Sequence, residues 1–99
     1  MKTREEIKAE LQSLKPALRD RFQVETIGIF GSYSRGEQKN TSDIDILVTF
    51  AEPNDVDLID FIELKQFLMR KLKTKVDVVQ KRALKHRIKD IILQETIYV

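Results

Sequence analysis

Three short runs of β-branched and aliphatic residues, separated by segments of helical periodicity, limit the folds open to this chain. The runs cover residues 24–30, 43–50 and 75–80, and their composition is typical of buried strands. Strands that alternate with helices predict an α/β domain of the two-layer α+β kind, in which helices flank a small mixed sheet of three to four strands. A chain of 99 residues has room for one hydrophobic core, so residues 1–99 are expected to form a single domain.

The first predicted helix is amphipathic and carries one proline. Thr3 and Glu6 have the spacing of a capping box, and leucine and isoleucine residues then recur at steps of three and four up to position 18. We expect this helix to end by about Phe22. Pro16 cannot donate a backbone hydrogen bond, so a kink or a break near Lys15 is expected.

The remaining elements follow from the same patterns. One or two helical turns are expected over residues 33–38, with Ser32 near their N-terminus, and longer helices over 56–72 and 82–94. Residues 97–99 are expected to form a short terminal strand. The run at 43–50 is apolar enough to predict a strand that is buried on both faces.

The composition excludes several kinds of chemistry. There is no cysteine, which excludes disulfides, thiolate catalysis and cysteine-ligated metal clusters, and a single histidine, His86, excludes a site built from several histidines. No apolar stretch approaches the roughly 20 residues of a membrane-spanning helix, and the first residues lack a signal-peptide core. A cytoplasmic protein without membrane association is therefore expected.

The formal net charge of +2 conceals two blocks of opposite sign. Residues 37–63 hold one basic and eight acidic side chains, a net −7, and residues 64–99 hold ten basic and three acidic ones, a net +7. The asymmetry favours a cation or a phosphate-bearing ligand at one region and an anionic partner at another. The alternative is a pair of ordinary solvated surfaces. The same two interpretations apply to Lys81, Lys85 and Lys89, which recur every four residues beside Arg82.

Three aspartates interrupt strands that are otherwise apolar. Residues two apart in a strand project from the same face, so Asp43 and Asp45 point one way while their aliphatic neighbours point into the core. Asp77 repeats the pattern in the next strand. Adjacent carboxylates repel each other unless a cation lies between them, and a hard divalent ion such as Mg²⁺ prefers such ligands. The alternative is that these charges protect edge strands from aggregation.

Gly31 and Ser32 follow directly after the first predicted strand. Glycine lets the backbone approach a ligand closely, and a helix that begins at Ser32 directs N–H groups and the serine hydroxyl toward an anion. The pair is also an ordinary turn residue followed by an ordinary helix cap. Next to the aspartates, however, it fits metal-assisted phosphoryl or nucleotidyl transfer.

The spacing of these residues resembles a known signature. Gly31-Ser32, ten intervening residues and then Asp43-Ile44-Asp45 is similar to the motif of the DNA polymerase beta-like nucleotidyltransferase superfamily. The surrounding segment IFGSYSRGEQKNTSDIDILV resembles its minimal nucleotidyltransferase members, whose length this chain matches almost end to end. The resemblance therefore implies a nucleotidyltransferase fold and activity.

The resemblance also implies a role for each residue of the motif. Gly31 and Ser32 are expected to bind the triphosphate of ATP, the substrate. Asp43 and Asp45 are expected to be catalytic ligands of Mg²⁺, with two ions in the working site. Asp77 is expected to complete the catalytic and metal-binding set, because it lies in a strand that follows a long helix.

Arg35 belongs to the extended pattern of the family, where two roles are open to it. It either contacts the nucleotide phosphates or holds the short helix through a salt bridge. Minimal nucleotidyltransferases are commonly paired with a HEPN-domain ribonuclease toxin, and they act as its antitoxin by attaching AMP to a toxin tyrosine. The resemblance implies this activity and this protein partner here.

Two alternatives remain at this stage. The chain is either a non-catalytic partner that masks a toxin, or a nucleic-acid-binding module that uses its basic residues at 64–99. The second has little support, since seven per cent aromatic residues offer few platforms for base stacking.

Overall fold

The computed structural model describes residues 2–99 and contains four helices and four strands in that range. The helices are α1 (Arg4–Phe22), α2 (Ser32–Arg35), α3 (Leu58–Leu72) and α4 (His86–Glu95). The strands are β1 (Val24–Phe30), β2 (Ile44–Phe50), β3 (Val76–Gln80) and β4 (Ile97–Tyr98), and a short 3₁₀ turn covers Lys81–Ala83.

The four strands form one mixed sheet in the order β3-β2-β1-β4. β1 is antiparallel to both β2 and β4, whereas β2 and β3 are parallel. A parallel pair needs a crossover between its strands, and α3 provides it here. The predicted α+β fold with a small mixed sheet is confirmed.

One face of the sheet carries the core. Ile44 and Ile46 of β2 have no exposed surface, and the same is true of Leu64 and Leu68 on α3 and of Leu11 on α1. The two long helices pack against each other and against this face. Burying side chains of this size stabilises the fold by roughly 1.5–3 kcal/mol each.

The opposite face of the sheet is more open. Along β2 the odd-numbered positions alternate with the core residues, and there Asp45 and Thr49 are half-buried while Leu47 is buried. The prediction that this strand is buried on both faces is therefore right for Leu47 and wrong for its two polar neighbours. Polar side chains can remain there because α1 and α3 pack on the other face of the sheet.

The predicted break at Pro16 is wrong, because α1 runs without interruption from Arg4 to Phe22. Pro16 is exposed, so the carbonyl left without its helical partner can be hydrated. Leu11 and Leu18 are buried on either side of the proline and hold both halves of the helix against the core.

Several predicted boundaries also shift. α2 ends at Arg35 because Gly36 adopts a left-handed conformation, with φ of 73°. The last helix begins at His86 rather than at position 82, since a 3₁₀ turn precedes it. α3 begins at Leu58, where Asp57 and Asp60 form a capping box. No helix within residues 2–99 has the length and apolarity needed to cross a membrane.

The capping box of α3 gives a prediction for stability. The Asp57 carboxylate accepts a hydrogen bond from the Asp60 N–H at 2.8 Å, so Asp57→Ala leaves that amide without its cap. We expect the free energy of unfolding to fall by about 1 kcal/mol, measured by urea denaturation. Glu63→Ala removes a negative charge from the exposed surface of the same helix and serves as the control. An equal loss in both variants would contradict the capping role.

Candidate active site

The open face of the sheet brings two of the predicted aspartates together. Asp45 of β2 is in register with Asp77 of β3 on one side and with Phe30 of β1 on the other. Residues in register on adjacent strands project from the same face, so the two aspartates lie side by side. Asp43 lies one residue before β2 and is exposed.

Asp45 is the most perturbed acid of this group. Burial raises its pKa, and the negative charges of Asp77 and Asp43 add to the effect, bringing it to about 6 from an ordinary value of 3.8. Arg35 opposes the shift only in part. The site thus holds excess negative charge that an added cation would neutralise.

These carboxylates offer the oxygen ligands that Mg²⁺ prefers. Within residues 2–99, no three histidine, aspartate or glutamate side chains form a preassembled metal cluster. The fit to a cation therefore rests on the donor set and on the raised pKa of Asp45, which is caused by burial first and by the charges of Asp77 and Asp43 second. Asp43, Asp45 and Asp77 are the residues that could hold Mg²⁺, and Asp77 has the exposed side chain of the in-register pair.

Gly31 is required by two features of the turn between β1 and α2. Its φ is 74° and its ψ is −149°, a conformation almost restricted to glycine. A Cβ atom at this position would also collide with the Asp45 carboxylate. The Gly31 carbonyl accepts hydrogen bonds from the Ser34 hydroxyl at 3.0 Å and from the Arg35 N–H at 3.2 Å, which fixes the turn.

Ser32 is the first residue of α2 and is partly exposed. Its neighbour Gly31 lies against the Asp45 carboxylate, so the predicted phosphate-binding pair and the predicted metal-binding acids occupy one end of the open face. The first N–H groups of a helix have no partner within it, which leaves them to bind other acceptors.

Arg35 forms the salt bridges that were one of its two predicted roles. Its Nε donates to Glu37 at 2.8 Å, and its Nη1 donates to Glu95 at 2.8 Å. The hydrogen bonds to Glu37 and Glu95 raise the pKa of Arg35 further above its ordinary value. Contact between Arg35 and a nucleotide phosphate remains a prediction.

Glu95 belongs to this site, although the sequence analysis missed it. Besides its salt bridge with Arg35, it accepts a hydrogen bond from the Gly31 N–H at 3.2 Å. The register explains its position: Ile29 pairs with Ile97 in an antiparallel ladder, so the residues two steps further along face each other. The short terminal strand was the one available signal, but the sequence did not indicate which strand it pairs with.

A cavity lies away from these residues, at the opposite end of β2. It measures about 690 Å³ and includes Thr26, Thr49 and Tyr98 in its lining, but none of the predicted site residues. Lys81, Arg82 and Lys89 also line it. The three lysines that recur every four residues do not lie on one helix. Lys81 lies in the 3₁₀ turn, Lys85 caps α4 and only Lys89 lies within the helix.

The two left-handed glycines give a matched pair of variants. Gly31→Ala introduces both backbone strain and a collision with Asp45, whereas Gly36→Ala introduces strain alone, because nothing lies within 4 Å of its Cβ position. We expect urea denaturation to show a loss of about 1 kcal/mol for Gly36→Ala and at least about twice that for Gly31→Ala. Equal losses would show that the Asp45 carboxylate adds no steric cost at position 31.

The raised pKa of Asp45 predicts that replacing this residue stabilises the protein at high pH. Because the folded-state pKa is raised, ionisation of Asp45 costs stability as the pH rises from about 4 through 6, and the cost persists above that window. In the presence of EDTA, Asp45→Asn should therefore match the wild type at pH 4 and exceed it by about 1 kcal/mol at pH 8, allowing for solvent screening. A variant that is less stable than the wild type at pH 8 would contradict the cost assigned to burying the Asp45 charge beside Asp77.

The sequence of this chain is similar to known nucleotidyltransferase sequences. Residues 11–99 match the family model described as a nucleotidyltransferase domain. The protein adenylyltransferase MntA of Thermococcus cleftensis is 48% identical over 99 residues, which covers 100% of this chain and 98% of that protein.

Two solved toxin–antitoxin complexes contain similar chains. In a complex with AMP-PNP, the similar chain is 33% identical with a TM-score of 0.73, over 92% of this chain and 70% of that one. In a complex from Shewanella oneidensis, a tri-AMPylated HEPN toxin is bound to an MNT antitoxin. The similar chain there is 28% identical with a TM-score of 0.66, over 93% of this chain and 70% of that one.

The fold and the enzyme class predicted from the sequence are thus both confirmed. The family model spans most of the chain, and a relative that is 48% identical matches it from end to end. This chain belongs to the nucleotidyltransferase domain family.

Proposed function

We propose that this chain is a Mg²⁺-dependent adenylyltransferase that moves AMP from ATP to a tyrosine of a HEPN-domain toxin and thereby acts as its antitoxin. The observation that carries the proposal is the position of Asp45, which lies against Gly31 and in register with Asp77. Acids that hold a cation directly beside a phosphate-binding turn are what nucleotidyl transfer requires.

Each residue has a role in the proposed reaction. Gly31 and Ser32 bind the triphosphate through backbone N–H groups and the serine hydroxyl, while Asp43, Asp45 and Asp77 hold the metal. Mg²⁺ bound there would neutralise charge on the triphosphate and on the attacking and leaving oxygens.

The transfer itself makes one bond and breaks one. The acceptor hydroxyl oxygen bonds to the α-phosphorus of ATP, and the bond from that phosphorus to the bridging oxygen of pyrophosphate breaks. Asp77 has an exposed side chain, and it accepts the proton that the hydroxyl loses. Most of the rate enhancement comes from positioning and from fixed charges, since no covalent intermediate with the protein is needed.

The acceptor fits a protein rather than a small molecule. The acids lie at an open face of the sheet, and the cavity of about 690 Å³ at the other end of β2 is not lined by any of them. A partner protein brings its own docking surface to such a face. The relatives support this choice, because one is named a protein adenylyltransferase and another occurs in a complex with a tri-AMPylated HEPN toxin. Because the proposed substrate is ATP, we expect the protein to act in the cytoplasm, where ATP is available.

The test is transfer of label from ATP carrying ³²P at the α-phosphorus to a purified HEPN-domain toxin in the presence of Mg²⁺. We expect Asp45→Asn and Asp77→Asn each to reduce the initial rate at least about 100-fold, because each removes a metal ligand or the proton acceptor. Asp20→Asn alters an exposed aspartate of α1 and serves as the control. EDTA should abolish transfer in all variants.

The same experiment separates catalysis from masking. If the Asp45→Asn variant still inhibits the toxin ribonuclease at equal concentration and no AMP adduct forms, the chain acts as a non-catalytic partner. Transfer that persists at the wild-type rate in both aspartate variants would contradict the metal assignment. Labelling of RNA instead of the toxin would contradict the protein acceptor.

A further inference from the structure

The Glu95 carboxylate is bound by two donors at the phosphate-binding turn. One oxygen accepts from the Gly31 N–H at 3.2 Å, and the other accepts from Nη1 of Arg35 at 2.8 Å. The Glu95 side chain is only 20% exposed, which makes it the more buried member of the salt bridge. An anion of this chain therefore already lies where a nucleotide phosphate would be expected to bind.

A carboxylate and a phosphate compete for such donors. A backbone N–H beside an arginine guanidinium is a common combination for binding either anion through charge-assisted hydrogen bonds. While Glu95 accepts from both groups, neither of these hydrogen bonds is free for a triphosphate. Glu95 also adds negative charge near Asp45, where a nucleotide brings more.

The helix that carries Glu95 is partly or fully exposed along its whole length, which lowers the cost of moving Glu95. Glu95 is the last residue of α4, and no residue of α4 is buried. The chain beyond it is anchored separately, because the Val99 N–H donates to the Ile27 carbonyl at 3.0 Å and Lys15 donates to the Val99 carbonyl at 3.0 Å. Glu95 can therefore leave the turn without separating β4 from β1.

We propose that Glu95 is an internal competitor of the triphosphate. It occupies the Gly31 N–H and one N–H of Arg35 Nη1 until ATP displaces it, and so weakens ATP binding. The inference rests on the proposed function, since it assumes that the triphosphate binds at Gly31. It assigns Glu95 to the control of nucleotide affinity and not to metal binding.

The experiment measures binding of two probes by isothermal titration calorimetry. Inorganic tripolyphosphate in EDTA reports on the phosphate site without metal, and α,β-methylene ATP with Mg²⁺ reports on the complete nucleotide site without turnover. The variants are Glu95→Gln, which removes the charge, and Glu95→Ala, which also removes the acceptor. Glu37→Gln is the matched control, because Glu37 pairs with Arg35 at 2.8 Å but does not bond to Gly31.

We expect both Glu95 variants to bind each probe about threefold to tenfold more tightly than the wild type, as removal of a partly exposed competing charge should give. The Glu37→Gln control should stay within about twofold of the wild type. In the transfer assay the KM for ATP should fall in parallel. Arg35→Ala in the Glu95→Gln background should cancel the gain.

Weaker or unchanged probe binding in Glu95→Gln and Glu95→Ala would overturn the inference. Weaker binding of both probes would mean that Glu95 positions Arg35 for the nucleotide, and weaker binding only when Mg²⁺ is present would mean that Glu95 is a metal ligand. Either result leaves the proposed function intact as long as the wild type transfers AMP. If the wild type binds neither probe and transfers nothing, the proposed function fails, and the inference fails with it.

Discussion

The contact between the Asp45 carboxylate and Gly31 is the constraint on which the rest of the site depends. A side chain at position 31 is costly, because its Cβ atom would collide with the Asp45 carboxylate and because the backbone adopts a conformation that suits glycine. Gly31 directly precedes Ser32, the first residue of α2. Asp45 is half-buried beside it, and this burial contributes most to its raised pKa. The pair of Gly31 and Asp45 thus combines a tight packing contact with the raised pKa of a carboxylate.

One face of the sheet carries the hydrophobic core, and the other carries the acids of the candidate site. Aliphatic side chains of β2 alternate with polar ones, so one face packs on α1 and α3 while the other carries the acids. The register of β2 and β3 then brings Asp45 beside Asp77. Burial of the Asp45 charge and its repulsion by Asp77 cost stability in the absence of a cation, and the core packing on the other face offsets that cost. Functional sites commonly hold such locally unfavourable groups.

Much of the fold was predictable because its signals are local. The strand composition of β1, β2 and β3 and the apolar spacing of α1 and α3 each lie within a continuous segment, and these elements appear where they were predicted. The errors arose where tertiary contacts decide. Pro16 does not break α1, since buried leucines on both sides hold the helix together, and α4 begins late because a 3₁₀ turn precedes it.

The sequence alone determined that Gly31 follows one strand and that Asp45 and Asp77 lie within two others, because strand composition and turn residues are local signals. The roles expected of these residues come from the family resemblance. Only the tertiary structure decided their surroundings. It joined Glu95 to Gly31 through the pairing of β1 with β4, which links positions far apart in the chain, and it gave Arg35 its two carboxylate partners. Such contacts follow from strand register and long-range packing, and no local pattern in the sequence encodes them.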